Sequence, residues 1–289
     1  MEKKTEVLWL GGDRRQIVAA NVMHDMGWST SVYANCNATM AKGKRQENLS
    51  SALAKSNIVV LPIPVARSFY LNGSDNILLS DILEQIKTDT LVLGGKIPTD
   101  VCMQLNKKQI RHIDYYNDEF QILNALPSAE GAVGVALREM PITLSGSRCF
   151  IVGYGRIGKL LALKLQLLGA NVTVGARKPS DLAFATSHGY QTLSISDGIP
   201  CRPLSSFDAI FNTAPICLFD RERLLSMNKE TLYFELASAP YGVDFATAEE
   251  LGLRIICAES LPGKYSPISA GIILAESVLH ILLKEGITP

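Results

Sequence analysis

Cys149-Phe150-Ile151-Val152-Gly153-Tyr154-Gly155-Arg156-Ile157-Gly158 decides the fold of this chain. A short apolar strand runs into Gly-x-Gly-x-x-Gly, and Lys159 to Leu168 continue with helical spacing. In that order each glycine has its own task. Gly153 permits a tight turn off the strand, Gly155 removes a side chain where a pyrophosphate approaches the backbone, and Gly158 lets the helix pack close to the strand. The N–H groups of the helix start, with Arg156 and Ile157, then face the anion. A glycine pattern alone is a weak signal. Here a second strand, Asn171 to Val174, arrives after one helix and Gly169-Ala170, completing the start of a βαβ unit. The stretch reads as a dinucleotide site; the blander alternative is a structural glycine-rich turn.

The end of the second strand reports which dinucleotide. An NAD site usually places Asp or Glu about 20 residues beyond the glycines, on the ribose 2′-hydroxyl. This chain has Gly175-Ala176-Arg177-Lys178-Pro179 there. A carboxylate repels a 2′-phosphate, whereas the Arg177 guanidinium can hold one through its fork, with Lys178 adding a point charge. The reading is NADP, with Ala176, Arg177 and Lys178 at the site. The alternative is a solvated loop and NAD bound without the carboxylate. Asp181 is expected to cap the next helix.

Working outward, strands are expected at Tyr190 to Leu193, Asp208 to Asn212, Thr231 to Leu236 and Arg254 to Cys257, with helices at Ser180 to His188, Asp220 to Ser226 and Phe245 to Leu251. With a helix from about Ser128 to Glu139 leading in, residues 128–267 form a Rossmann domain of about six strands. The first half also alternates: strands at Glu6 to Leu10, Ser29 to Ala34, Ile58 to Leu61, Thr90 to Leu93 and, more weakly, Arg111 to Tyr115, with helices at Arg14 to Met26, Leu79 to Ile86 and Asp100 to Leu105. The fold class is therefore α/β: two doubly wound parallel-sheet domains. Residues 1–127 form the first, a flavodoxin-like substrate domain, and the apolar last helix, 268–289, crosses back onto it. A cleft between the domains is the expected substrate site. Ligands bind at the carboxyl ends of such strands. That rule places Thr213, Ala214 and Pro215 under the nicotinamide ribose and Ala237 and Ser238 near the ring. It also brings up the loop from Gly263 through Pro267 to Gly271.

Composition narrows the classes. The 289 residues suffice for two domains, and 28 Lys plus Arg against 28 Asp plus Glu give no pull towards nucleic acid. No apolar run approaches the ~20 residues of a bilayer span, and the charged start Met1 to Glu6 is unlike a signal peptide. The cysteines at 36, 102, 149, 201, 217 and 257 form no Cys-x-x-Cys pair and read as buried, reduced thiols of a cytosolic protein. His24, His112, His188 and His280 have no metal-ligand spacing.

Several further motifs carry a resemblance. Leu10-Gly11-Gly12-Asp13-Arg14-Arg15-Gln16, Asn124-Ala125-Leu126-Pro127-Ser128-Ala129-Glu130-Gly131, Val174-Gly175-Ala176-Arg177, Asn212-Thr213-Ala214-Pro215, Glu235-Leu236-Ala237-Ser238 with Gly242-Val243-Asp244-Phe245, and Leu261-Pro262-Gly263 with Pro267-Ile268-Ser269-Ala270-Gly271 stand in the chain in that order. Together they resemble the dipicolinate synthase A subunits of spore-forming bacteria. Glu235 stands where that family has Asp, Ser238 to Gly242 replaces a more glycine-rich turn, and Lys264-Tyr265-Ser266 fills the loop after Pro-Gly. Residues 38–49 and 196–203 are idiosyncratic.

The resemblance implies an NADP-using enzyme of the sporulating mother cell. It would make pyridine-2,6-dicarboxylate from 4-hydroxytetrahydrodipicolinate, and its partner would be a flavoprotein-like B subunit; a homo-oligomer is also expected. A dianionic substrate needs cationic or N–H-rich walls. Arg14 or Arg15, at a helix N-terminus that itself favours an anion, is the expected carboxylate ligand, though an Arg pair there is often a solvated face. Lys96, after Gly94-Gly95, and Ser238 are further substrate-side candidates. Glu130 and Asp118, with Glu119 beside it, are the acids expected to move a proton for water loss. Glu130 reads equally well as a first-turn residue behind a Ser128 cap, and Asp13 as a cap. Two other functions stay open. A D-2-hydroxyacid dehydrogenase shares the layout, but Glu259 to Gly263 lacks its histidine, and His280 lies inside the last helix. A non-catalytic NADPH-binding subunit is the other.

Overall fold

The computed structural model describes residues 5–73, 77–200 and 204–289. The first four residues, Cys201 and the end of the 196–203 stretch lie outside them. The contact pattern divides the chain into two units, Met1–Asn124 with Ser266–Pro289, and Ala125–Tyr265.

The first unit begins with β1 (Glu6–Leu10), whose residues Val7 to Leu10 are buried on both faces, as an interior parallel strand requires. Then come α1 (Arg14–Asp25), β2 (Ser29–Tyr33), β3 (Lys44–Arg45), α2 (Leu49–Lys55), β4 (Ile58–Val60), β5 (Ala66–Arg67), β6 (Tyr70–Leu71), α3 (Leu79–Gln85), β7 (Leu91–Gly94), α4 (Thr99–Lys107) and β8 (His112–Asp114). The sheet order is β3-β2-β1-β4-β7-β8, all parallel. β5 and β6 form a separate antiparallel hairpin. Residues 38–49, which carry no strand pattern, supply the edge strand β3.

α5 (Asp118–Glu139) starts in the first unit and ends in the second. It corrects the expected helix start at Ser128. Pro127 sits inside a continuous 22-residue helix. The start is capped instead by Asn117, whose side-chain oxygen accepts the Phe120 N–H at 2.8 Å. Asp118 and Glu119 fill the first turn, so neither a Ser128 cap nor a first-turn Glu130 exists. The helix continues past Pro127 because its buried face is unbroken: Phe120, Ala125, Ala129, Ala132 and Ala136 all face cores.

The second unit follows with β9 (Arg148–Val152), α6 (Arg156–Leu167), β10 (Asn171–Ala176), α7 (Pro179–Ser187), β11 (Gln191–Ser194), β12 (Ala209–Asn212), α8 (Arg221–Leu225), β13 (Leu232–Glu235), α9 (Phe245–Glu250), β14 (Ile255–Cys257) and α10 (Leu261–Tyr265). Its sheet, β11-β10-β9-β12-β13-β14, is also all parallel. The order reverses between β9 and β12, the crevice where such sheets bind dinucleotides. The expected loop from Gly263 to Gly271 is overturned. Gly263 lies within α10, and only Ser266 separates it from α11 (Pro267–Lys284).

α11 packs along α1, Gly271 fitting against Val18. Among the described residues it alone has the length and mean hydropathy, 1.5, to suit a membrane span, which corrects the reading that no apolar run comes close. Its Leu274, Ala275, Val278 and Leu282 are nevertheless inside the core of the first unit, with Trp9, Ile17 and Met23.

Candidate functional site

A cavity of about 290 Å³ opens at the carboxyl ends of β9, β10 and β12. Gly153, Tyr154 and Gly155 form one wall, Ala176, Arg177 and Lys178 another, and Ala214, Pro215, Ile216 and Leu218 a third, with Asp181 and Ile195 at the rim. All belong to the second unit.

Each glycine meets a different constraint. Gly153 has φ of +96°, a conformation costly for any side chain, and a Cβ there would lie 2.5 Å from Thr213 Oγ1. At Gly158 a Cβ would stand 2.1 Å from the Gly153 carbonyl, so this glycine sets the helix–strand approach. Gly155, at the N-cap of α6 with φ of −83°, is neither strained nor crowded: a Cβ there meets no atom within 4 Å. That open space borders the cavity and lies at a 12-residue helix start with no side-chain cap. Such a cradle fits the pyrophosphate of a dinucleotide. Thr213 lies beneath it, donating from Oγ1 to the Val152 carbonyl at 2.9 Å.

Arg177 and Lys178 follow β10 as exposed residues on the cavity wall. Lys178 is the N-cap of α7 and Asp181 its third residue, so Asp181 does not cap the helix. It instead adds a carboxylate to the cavity that holds the two cations, a placement the capping expectation missed. Tyr154, Ile195, Ile216 and Leu218 were also not foreseen; each lies one to three residues beyond a motif or strand end, a proximity that could have flagged them. Arg156 and Ile157 occupy the first turn of α6, outside the cavity lining. Gly263, within α10, and Pro267, the first residue of α11, are not among the residues that line it.

Next along the sheet, β12 and β13 end in a buried polar cluster that sequence reading passed over. The Glu235 side chain is fully buried. It accepts from Asn212 Nδ2 at 2.7 Å, the Ala237 N–H at 2.9 Å, the Gly242 N–H at 2.8 Å and the Tyr233 hydroxyl at 3.4 Å. Burial pushes its carboxyl above the usual range, against the pull of these donors. Ala237 is buried beside this cluster and Ser238 is exposed.

Glu130, Arg15 and Lys96, among the expected acids and substrate cations, have local partners. Glu130 is exposed and accepts from Lys164 Nζ at 2.9 Å. Asp118 sits in the first turn of α5. Asp13 caps α1, accepting the Arg15 N–H at 2.9 Å, and also grips the Arg15 guanidinium through contacts at 2.9 Å to Nε and Nη2. The helix start expected to attract a ligand carboxylate therefore already holds one of its own. Arg14 is half-buried, and its Nε has no hydrogen-bond partner among the described residues. Lys96 stands at φ of +54° with its ammonium 4.8 Å above the Tyr116 ring. Arg14, Arg15 and Lys96 follow strand ends of the same sheet, β1 and β7. His280 Nδ1 is 3.4 Å from Glu119 Oε2, both side chains half-exposed, an ordinary surface pair. Among the described residues no group of three His, Cys, Asp or Glu could hold a metal ion.

Comparison with known proteins agrees with this frame. Residues 6–116 match the family model for the N-terminal domain of the dipicolinate synthase A subunit. The A subunit of dipicolinate synthase from Bacillus subtilis (strain 168) is 30% identical over 238 residues, covering 78% of this chain and 77% of that protein. The crystal structure of the Bacillus halodurans A subunit of dipicolinate synthase superposes with a TM-score of 0.85 at 26% identity, over 96% of this chain and 97% of that one. The crystal structure of its Bacillus subtilis counterpart does so at 0.81 and 26%, over 99% and 97%. A transhydrogenase from Sinorhizobium meliloti shares the fold at 14% identity and a TM-score of 0.71, over 96% and 93%. With two six-stranded parallel sheets, a glycine-lined crevice and this extent of identity, the chain belongs to the family of dipicolinate synthase A subunits.

Proposed function

We propose that this chain binds NADP in the second-unit cavity and forms dipicolinate from 4-hydroxytetrahydrodipicolinate. The substrate must lose water, a hydride and a proton to give the aromatic pyridine dicarboxylate. The oxidised nicotinamide supplies the hydride acceptor. One observation carries the nucleotide assignment: β10 ends at Ala176 and Arg177-Lys178 follow it on the cavity wall, where an acid would serve a 2′-hydroxyl. In this reading the cradle at Gly155 admits the pyrophosphate, with Arg156 alongside. Arg177 grips the 2′-phosphate and Lys178 adds charge. Thr213, Ala214 and Pro215 support the nicotinamide ribose, and Ala237 lies towards the ring. Arg14, Arg15 and Lys96 recognise the two carboxylates, Arg15 by exchanging Asp13 for a ligand. Glu130 or Asp118 moves the proton that leaves with water. A B subunit is the expected partner, by analogy with the name of the relatives.

Substitution of Arg177 by Glu tests the assignment. The Kd for NADPH, read by titration calorimetry, is expected to rise about 30-fold or more, as for loss of a charged contact plus added repulsion, with little change for NADH. Equal effects on both nucleotides would refute the 2′-phosphate site. Turnover of 4-hydroxytetrahydrodipicolinate with NADP by the purified chain, alone and with the B subunit, tests the reaction; no nucleotide reduction in either assay would overturn it.

A further inference from the structure

Glu235 is the most deeply buried carboxylate of the second unit, and no step proposed above uses it. Its surroundings are one-sided. All four groups facing its oxygens are donors: the Asn212 amide, the Ala237 and Gly242 N–H groups and the Tyr233 hydroxyl. The amide and the two backbone N–H groups can only donate, so they hold the Glu235 oxygens as acceptors. The contacts also have a direction. Asn212 closes β12, and its own side chain binds Ala214 at both ends, accepting the Ala214 N–H at 3.2 Å and donating to the Ala214 carbonyl at 3.0 Å. Ala237 and Gly242 bracket the turn that follows β13, which is exposed at Ser238, Ala239 and Pro240. A Cβ on Gly242 would fall 2.1 Å from Asn212 Nδ2, so turn and amide are packed against each other. One buried anion therefore ties together two successive strand ends. The first, through Ala214 and Pro215, lines the cavity. The second lies one strand further from Arg177, where the remainder of a dinucleotide must extend.

We infer that Glu235 is a positioning residue that fixes the Ala237–Gly242 turn against the Asn212–Pro215 turn, so that the nicotinamide half of the nucleotide meets a preformed wall. The inference rests on the nucleotide reading above. It predicts that the turn is ordered before any ligand arrives.

Glu235→Gln separates this role from general support. A glutamine oxygen can still accept from Asn212 and Ala237. Its NH2 then faces the Gly242 N–H, donor against donor, and the turn moves while the Arg177 side of the cavity keeps its contacts. The probes are NADPH and adenosine 2′,5′-bisphosphate, which carries the 2′-phosphate half and lacks nicotinamide. The wild-type chain is expected to bind both. E235Q is expected to bind NADPH about tenfold or more weakly, with its affinity for the bisphosphate unchanged. Equal loss of both, or loss of neither, in folded E235Q overturns the positioning role. Failure of the wild-type chain to bind either probe instead overturns the nucleotide reading. Amide hydrogen exchange on the wild-type chain supplies a second measure should E235Q not fold. The Ala237 and Gly242 amides are expected to exchange as slowly as β13 without nucleotide, and rapid exchange there would refute the preformed turn.

Discussion

Gly155 and Gly158 look alike in the sequence and differ in what a side chain would meet. A Cβ at Gly158 would sit against the Gly153 carbonyl, which cannot move aside, so Gly158→Ala is expected to destabilise by more than about 3 kcal/mol, as other severe core insertions do. Gly155 has room and an ordinary backbone, so Gly155→Val should fold, losing no more than the roughly 1 kcal/mol of a poorer N-cap, and lose NADPH binding. Thermal melts and calorimetry on the two variants check the contrast; a stable Gly158→Ala, or Gly155→Val with normal affinity, contradicts it. The glycine turn and the place of Arg177 on the cavity wall were legible because each is encoded within a few residues of a strand end. The Glu235 cluster was not, since its partners lie 23 residues upstream and 7 residues downstream and meet only when β12 pairs with β13. Burial raises the Glu235 carboxyl, so the folded chain binds a proton more readily than the unfolded chain. The stability this gives is fully present at pH below the ordinary glutamate range and is lost as pH rises through the raised value. Urea unfolding across that window should show wild type losing stability relative to E235Q; a parallel pair of curves would argue against the shift.

At the level of elements, the interior strands of both sheets were legible because they read as unbroken apolar runs, Leu8 to Leu10 and Phe150 to Val152 among them, whereas the exposed two-residue edge strand β3 was not. The two misread segments failed for identifiable reasons. Pro127 is a usual helix boundary, but burial on both sides of it outweighs one missing backbone bond. Leu261 to Tyr265 reads as a loop because Pro and Gly interrupt it, yet Leu261 and Pro262 are buried and hold one helical turn against α5, where a Cβ on Gly131 would lie 2.8 Å from the Leu261 side chain. The α1–α11 pairing depends on a similar close approach. A Cβ on Gly271 would lie 2.5 Å from the Val18 Cβ and 2.8 Å from the Arg15 carbonyl. Gly271→Ala must therefore part the helices, at an expected cost of about 1–3 kcal/mol. A denaturant midpoint equal to wild type would show that the two helices have slack.

Across the whole molecule, the chain order and the units do not coincide. The first unit is built from both ends of the sequence, while every residue lining the second-unit cavity lies in the continuous middle piece. Removal of residues 266–289 therefore acts on one unit selectively. α11 contributes Leu274, Val278, Ile281 and Leu282 to the first unit's core, with Ala270, Gly271 and Ala275 packed among them. Burying a side chain of that size stabilises by about 1.5–3 kcal/mol, so losing four rivals the ~5–15 kcal/mol that holds a typical domain together. The second unit has two apolar clusters of its own, one on each face of its sheet, and neither draws on α11. A chain ending at Tyr265 is thus expected to lose the folded first unit, seen as rapid proteolysis within residues 5–124, and to leave a resistant fragment near Ala125–Tyr265 that still binds NADPH. An intact first unit in the shortened chain would mean that the C-terminal helix is dispensable. A fragment that resists proteolysis yet no longer binds the nucleotide would mean that the site needs residues outside the cavity described above.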